Sequence, residues 1–179
     1  MVSWRVITYR VPADPSRHRV AIWRELRRLG AVPLQQGTWA VPCGEPFDTG
    51  FAQVIDGIRA AGGGPVVLAV ADEAASTAQL EALFTAQREA EWAEFVSDCG
   101  KYEAELAGEV AKGKLTLAEL DEEEESLDRL RRWYRAIRGR DLFGAPGAGA
   151  AEQRLKDVTE ALERFADQVY QAREAGGGG

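Results

Sequence analysis

The spacing of apolar residues changes period partway along this chain, and that change dictates its architecture. Up to about residue 71, short runs of strand character alternate with helical stripes, whereas beyond it apolar residues recur only every three or four positions. Residues 4–11 (WRVITYRV) are rich in β-branched and aromatic side chains and read as a strand. Asp14-Pro15-Ser16 supplies an N-cap and a proline at the first helical position. Val20, Ile22, Trp23, Leu26 and Leu29 then share one helical face, and Gly30 ends the helix. Residues 31–36 and 37–41 are two short strands meeting at Gln36-Gly37, where glycine admits the positive φ of a tight turn. Residues 47–61 form a second helix with Phe51, Val54, Ile55 and Ile58 as its stripe. Gly62-Gly63-Gly64 stops it, and the unbroken apolar run of 65–71 (PVVLAVA) predicts a buried strand.

The order βαββαβ predicts an α+β fold that opens with a ferredoxin-like domain over 1–72, with both helices on one face of the sheet. Trp4 and Val6 point to one side of the first strand, Ile7 and Tyr9 to the other. The face without helices therefore also needs cover, from a second copy or from the C-terminal part. That part, 73–175, reads as an all-helical three-helix segment. Leu80, Leu83, Phe84, Phe95, Cys99, Tyr102, Leu106 and Val110 mark one long helix. Thr116-Leu117-Ala118-Glu119 matches a capping box. Leu117, Leu120, Leu127, Leu130, Tyr134 and Ile137 mark a second helix, a loop follows around 143–147, and Leu155, Val158, Leu162, Phe165 and Val169 mark the third. Such stripes bury one another in a bundle or dock on the open sheet. Residues 176–179 read as a flexible glycine tail.

With 45% hydrophobic and 28% charged residues the balance is that of a globular protein. No apolar run approaches the roughly 20 residues needed to cross a bilayer, and no secretory signal is visible, so a cytoplasmic protein is expected. Cys43 and Cys99 are too far apart in sequence to read as a metal or redox pair, and are expected as free, buried thiols. No cofactor motif is present.

The net charge of −7 is unevenly spread. Residues 1–72 carry eight arginines against six acidic residues; the remainder carries 14 basic against 23 acidic. On the first helix Arg17, Arg24 and Arg28 lie opposite the apolar stripe with Arg27 alongside, a surface that either neutralises phosphates or is simply solvated. Arg129, Arg131, Arg132, Arg135, Arg138 and Arg140 crowd the end of the middle helix. Glu122 to Glu125 and the helix dipole account for about half of them, leaving a surplus that suits a phosphate or tetrahedral oxyanion. Arg10, Arg17, Arg24, Arg27, Arg28, Arg132, Arg135, Arg138 and Arg140 are thus the candidate nucleic-acid or anion-binding residues. His18, the only histidine, reads as a solvated helix residue. One histidine and two isolated cysteines do not make a zinc site. Gly62-Gly63-Gly64-Pro65 follows a helix and precedes a strand, the reverse of a phosphate loop. The acidic run Asp121 to Glu125 reads as a solvated face, and no buried pair of carboxylates is located, so an enzyme is not expected.

Several segments resemble the N-terminal module of the chromate-resistance regulator family ChrB. They include Tyr9-Arg10-Val11-Pro12, Pro15-Ser16-Arg17, Trp23-Arg24, Leu26-Arg27-Arg28-Leu29-Gly30 and Leu34-Gln35-Gln36-Gly37, then Arg131-Arg132-Trp133, Arg140-Asp141 and Phe143-Gly144-Ala145-Pro146. In that family a C-terminal domain follows the module, and this sequence ends where that domain would begin. The resemblance implies a DNA-associated transcriptional regulator responsive to chromate or another oxyanion, expected as a homodimer. The alternative is a non-catalytic interaction module that docks a separate sensing domain or partner. The front part is also similar to the ferredoxin-like domain of PaaX-type regulators and of small CRISPR adaptation nucleases. Those nucleases carry an aspartate at the end of the first strand. Here that stretch is Tyr9-Arg10-Val11-Pro12, with Asp14 only at a capping position, which disfavours a metal-dependent nuclease.

Overall fold

The structure, a computed structural model, describes residues 2–71 and 73–176. Asp72, at the expected domain boundary, and residues 177–179 of the expected glycine tail lie outside the described residues. The elements run β1 (Trp4–Arg10), α1 (Arg17–Leu29), β2 (Val32–Gln35), β3 (Thr38–Pro42), α2 (Phe47–Ala60), β4 (Gly64–Ala69), α3 (Ala74–Ala111), α4 (Leu117–Arg140) and α5 (Ala148–Gly176). The fold is α+β and mostly helical. It divides into two compact units, the first ending at Gln87 and the second beginning at Arg88, so the boundary falls inside α3.

In the first unit the strands lie in the order β2-β3-β1-β4, and every neighbouring pair is antiparallel. β2 and β3 are joined at Gln36-Gly37. Gly37 holds φ at +73°, and a Cβ there would meet the Tyr9 carbonyl oxygen at 2.8 Å, so glycine is required twice over. Gly63 is constrained by space alone: an added Cβ would lie 2.5 Å from the Arg10 carbonyl oxygen. α1 and α2 pack on each other, and α2 packs on β3 and β4. The Arg5 guanidinium lies 3.9 Å from the centroid of the Phe51 ring on α2 and donates to Asp48 at 2.6 Å. The odd residues of β1 therefore face α2. On the even side Trp4 meets Phe84 of α3 edge-on at 5.8 Å.

Three expectations fail in the structure. β4 is not buried: it is an edge strand, with Val66, Val67 and Leu68 about half exposed, because an apolar run cannot tell a central strand from an edge. On α1, Ile22 and Leu26 are buried but Val20 and Trp23 are 43% and 48% exposed, so the core stripe is narrower than periodicity suggests. Of the cysteines, Cys99 is buried and Cys43 is exposed; both are free.

The second unit is built on α3, α4 and α5, with Trp92, Phe95, Leu127, Ile137, Val158 and Phe165 among its core. Thr116 caps α4 as expected, its hydroxyl accepting from the Glu119 amide at 3.2 Å. The Glu119 carboxylate accepts from Lys114. Charges do enter this core, contrary to expectation. Arg88 is fully buried and donates to Glu91 at 2.8 Å; Arg140 donates to the other Glu91 oxygen at 2.8 Å. Burial pushes Arg88 down to about 10, with Glu91 opposing, so it stays cationic at neutral pH. Asp141 accepts from the Trp92 indole at 3.0 Å and from the Ala145 amide at 3.1 Å. Within the acidic run, Glu123 turns inward: it is 5% exposed, and its Oε2 has no hydrogen-bond partner among the described residues. Burial, reinforced by Glu105 and Glu109 of α3 and Glu119 and Glu122 of α4, pushes its carboxyl up to about 7.

Two predictions follow from these buried charges. A carboxyl whose pKa rises on folding favours the native state while protonated, so Glu123 makes stability fall as pH rises from about 4.5 through 7. Glu123→Gln should match the wild type at pH 5 and be more stable at pH 8 by roughly 1–3 kcal/mol, read from urea unfolding at the two pH values; equal midpoints at pH 8 would refute the assignment. Asp141→Ala should lower stability by roughly 2–4 kcal/mol at neutral pH, because it strands the Trp92 N–H and the Ala145 amide in the interior.

Candidate functional site

The 13 residues of α1 (RHRVAIWRELRRL) include five arginines and one acid, Glu25. At about 100° per residue, Arg17, Arg24 and Arg28 share the outward face, opposite Ile22 and Leu26. Arg19, Trp23 and Arg27 run at four-residue spacing down one flank. Arg28 is the exception to an open surface, since its Nε and Nη2 donate to Glu25 at 3.0 and 2.6 Å. Arg17, Arg19, Arg24 and Arg27 are exposed and form no ion pair with a described carboxylate. Ser16 stands at the N-cap without a side-chain cap bond.

The flank of α1 forms one wall of a groove of about 920 Å³. Arg19, Trp23 and Arg27 line that wall; the end of β1 (Thr8 to Arg10) with Val11, and the β2–β3 hairpin from Pro33 to Gly37 with Trp39, line the rest. The Arg27 guanidinium lies 5.4 Å from the centroid of the Trp23 ring. Trp39 is buried. Burial pushes the Tyr9 phenol up, partly offset by the neighbouring Trp39 indole N–H. The Tyr9 amide donates to the Gly37 carbonyl at 2.9 Å, tying the hairpin turn to β1. Among the described residues no Asp or Glu lines the groove, and Arg10, Arg19 and Arg27 all do. Its chemistry is that of an anion site with an aromatic face.

The candidate arginines of α4 behave differently. Arg140 is 14% exposed and committed to Glu91, so it is a core ion-pair partner and not a surface ligand. Arg131 pairs with Asp128 at 3.2 Å, and Arg129 donates to Ser126. None of Glu122 to Glu125 forms the expected ion pairs with these arginines. Arg132 and Arg135 are exposed without an ion-pair partner among the described residues. Arg138 is also exposed and helps Lys156, the larger influence, hold the Glu152 carboxyl low. These residues belong to the second unit and the α1 set to the first, so the predicted list is two sites.

Of the expected site residues, the structure brings Arg10 and Arg27 together in the groove and places Arg17, Arg24 and Arg28 on the outward face. Arg19 and Trp23 were not foreseen as site residues. Their signal was present as the Arg19-Trp23-Arg27 repeat of four, masked because Trp23 also fits an apolar stripe. Asp14 is exposed and His18 half-buried, and no group of three or more metal-ligating side chains occurs among the described residues. Among those residues no helix is long and apolar enough to cross a membrane.

Neither the curated proteins nor the solved structures yield a match. A family model does: it is described as Protein ChrB, N-terminal, and it matches residues 19–176, from α1 to the end of α5. On that span, which holds both arginine sets apart from Arg10 and Arg17, the chain belongs to the ChrB N-terminal family.

Proposed function

We propose that this chain is a regulatory protein of chromate or oxyanion stress resistance that binds nucleic acid through the arginines of α1, without catalysis of its own. The family membership supports a chromate-resistance-related regulator. The observation that carries nucleic-acid binding is the charge state of α1. Four of its arginines face solvent without an ion-pair partner among the described residues, although the chain as a whole is acidic. Exposed guanidinium groups gathered on one helix displace the cations condensed on nucleic-acid phosphates, and release of those cations drives association. An oxyanion effector would suit the planar forks of Arg132 and Arg135.

The order β2-β3-β1-β4 with antiparallel neighbours is what a ferredoxin-like unit requires, and we read the first unit that way. Its β4 edge supports a homodimer. Val66, Val67 and Leu68 are exposed, and the strand bears no ionisable side chain, so its own image can pair with it free of charge repulsion. A docking role for a separate partner is the competing reading.

Two measurements test this. The Arg17→Ala/Arg24→Ala double variant should keep its helical circular dichroism and lose affinity for duplex DNA from upstream of its own gene. Its log–log salt slope should fall by about 1.8, at about 0.9 per lost phosphate contact; an unchanged slope excludes this surface. Leu68→Glu should convert a dimer to a monomer in sedimentation velocity. A wild-type protein already monomeric at high micromolar concentration excludes the β4 interface.

A further inference from the structure

We propose that the groove beside α1 is a binding site for an unpaired nucleotide of a single-stranded nucleic acid, with a base on Trp23 and its phosphates between Arg10 and Arg19. The inference rests on the nucleic-acid reading above but names a different surface and a different form of the polymer. Duplex DNA keeps its bases stacked inside and presents phosphates to a convex helix face. A concave site with an exposed indole offers something a duplex cannot use.

The groove volume, about 920 Å³, falls in the range of sites that enclose a small organic ligand and is far larger than a lone tetrahedral oxyanion needs. Three guanidinium groups, with no carboxylate among the described residues of its lining, select an anion. Trp23 supplies a flat apolar face on the groove wall that is 48% exposed. Arg27, 5.4 Å from that ring, is placed to add a planar cation to the same stack. Across the groove, Gln35 and Gln36 at the hairpin turn carry amide groups that both donate and accept, as the edge of an unpaired base does. The turn is held against β1 by the bond from the Tyr9 amide to the Gly37 carbonyl, so the far wall is preorganised. Base-on-aromatic stacking with flanking cations is how single strands are held with little sequence preference.

The test uses the full chain and a fluorescently labelled 12-nucleotide oligo-dT, with the matching dT·dA duplex beside it, by anisotropy at low salt. Oligo-dT should bind, and Trp23→Ala should weaken it about tenfold while changing duplex affinity less than twofold. Trp23→Phe should retain most of the affinity. Arg10→Ala should reduce the single-strand salt slope by about 0.7. Trp23 is exposed, and unchanged thermal melting will show that its variants fold. An oligo-dT affinity indifferent to Trp23→Ala, or equalled by a poly-aspartate of the same charge, overturns the groove proposal. If the duplex still responds to the Arg17/Arg24 pair in that case, the helix-face reading survives alone. If neither nucleic acid binds at low salt, both readings fall.

Discussion

A guanidinium removed from water needs a carboxylate, and the way this chain distributes its carboxylates decides which arginines are structure and which are surface. Arg88 and Arg140 converge on the two oxygens of Glu91, and Asp141 lies beside them, bonded to Trp92 and Ala145. That arrangement secures the end of α4 and the turn into α5 against α3. Arg5 is held in the first unit by Asp48 and the ring of Phe51. What remains on α1 is a row of cations whose one carboxylate partner among the described residues is Glu25, which Arg28 already occupies. The candidate surface is thus defined by where acidic residues are missing as much as by where arginines are present.

The groove depends on the same economy at the level of the backbone. Gly37 at the hairpin turn lets the chain come within van der Waals reach of the Tyr9 carbonyl, and the turn then closes on β1 by hydrogen bond. Trp39 is buried and Tyr9 half-buried, which leaves Trp23 as the aromatic face most open to solvent. A hydrogen-bonded hairpin opposite a helix makes a concave site walled by regular secondary structure. Less conformational entropy is then lost when a ligand enters.

Much of the architecture was legible because local chemistry dictates it. The two-residue turn at Gln36-Gly37, the helix stop at Gly30 and the cap at Thr116 each follow from one residue type in one required conformation. The three long helices were legible because a stripe such as Leu155, Val158, Leu162, Phe165 and Val169 has no other way to be buried together. Errors arose where the deciding partner is distant in sequence. Nothing local to PVVLAV says that β4 has a neighbour on one side only. Glu91 meets Arg140 across 49 residues, so a charged pair inside the bundle looked like two solvated side chains. Glu123 was hidden in an acidic run for a similar reason: its four neighbours in the run are exposed, and only helical phase turns it inward. Trp23 fitted the core stripe by spacing yet lies on its margin, where burial depends on what packs alongside.

The acidic total of the chain and a role in binding a polyanion are compatible because electrostatics in salt is local. At physiological ionic strength charges are screened over about 8 Å. An approaching phosphate therefore responds to the side chains within one or two helical turns and hardly to the molecular sum. The excess of acidic residues is carried after residue 72, where Lys112, Lys114, Lys156 and several arginines already neutralise part of it. Over α1 the local sum is four positive charges in 13 residues, taking His18 as neutral. The same screening limits how far the acidic excess can repel a nucleic acid docked at α1. Repulsion from any acidic residues beyond that range would instead grow as salt is lowered. The affinity of the intact chain should then rise less steeply at very low ionic strength than counterion release alone dictates.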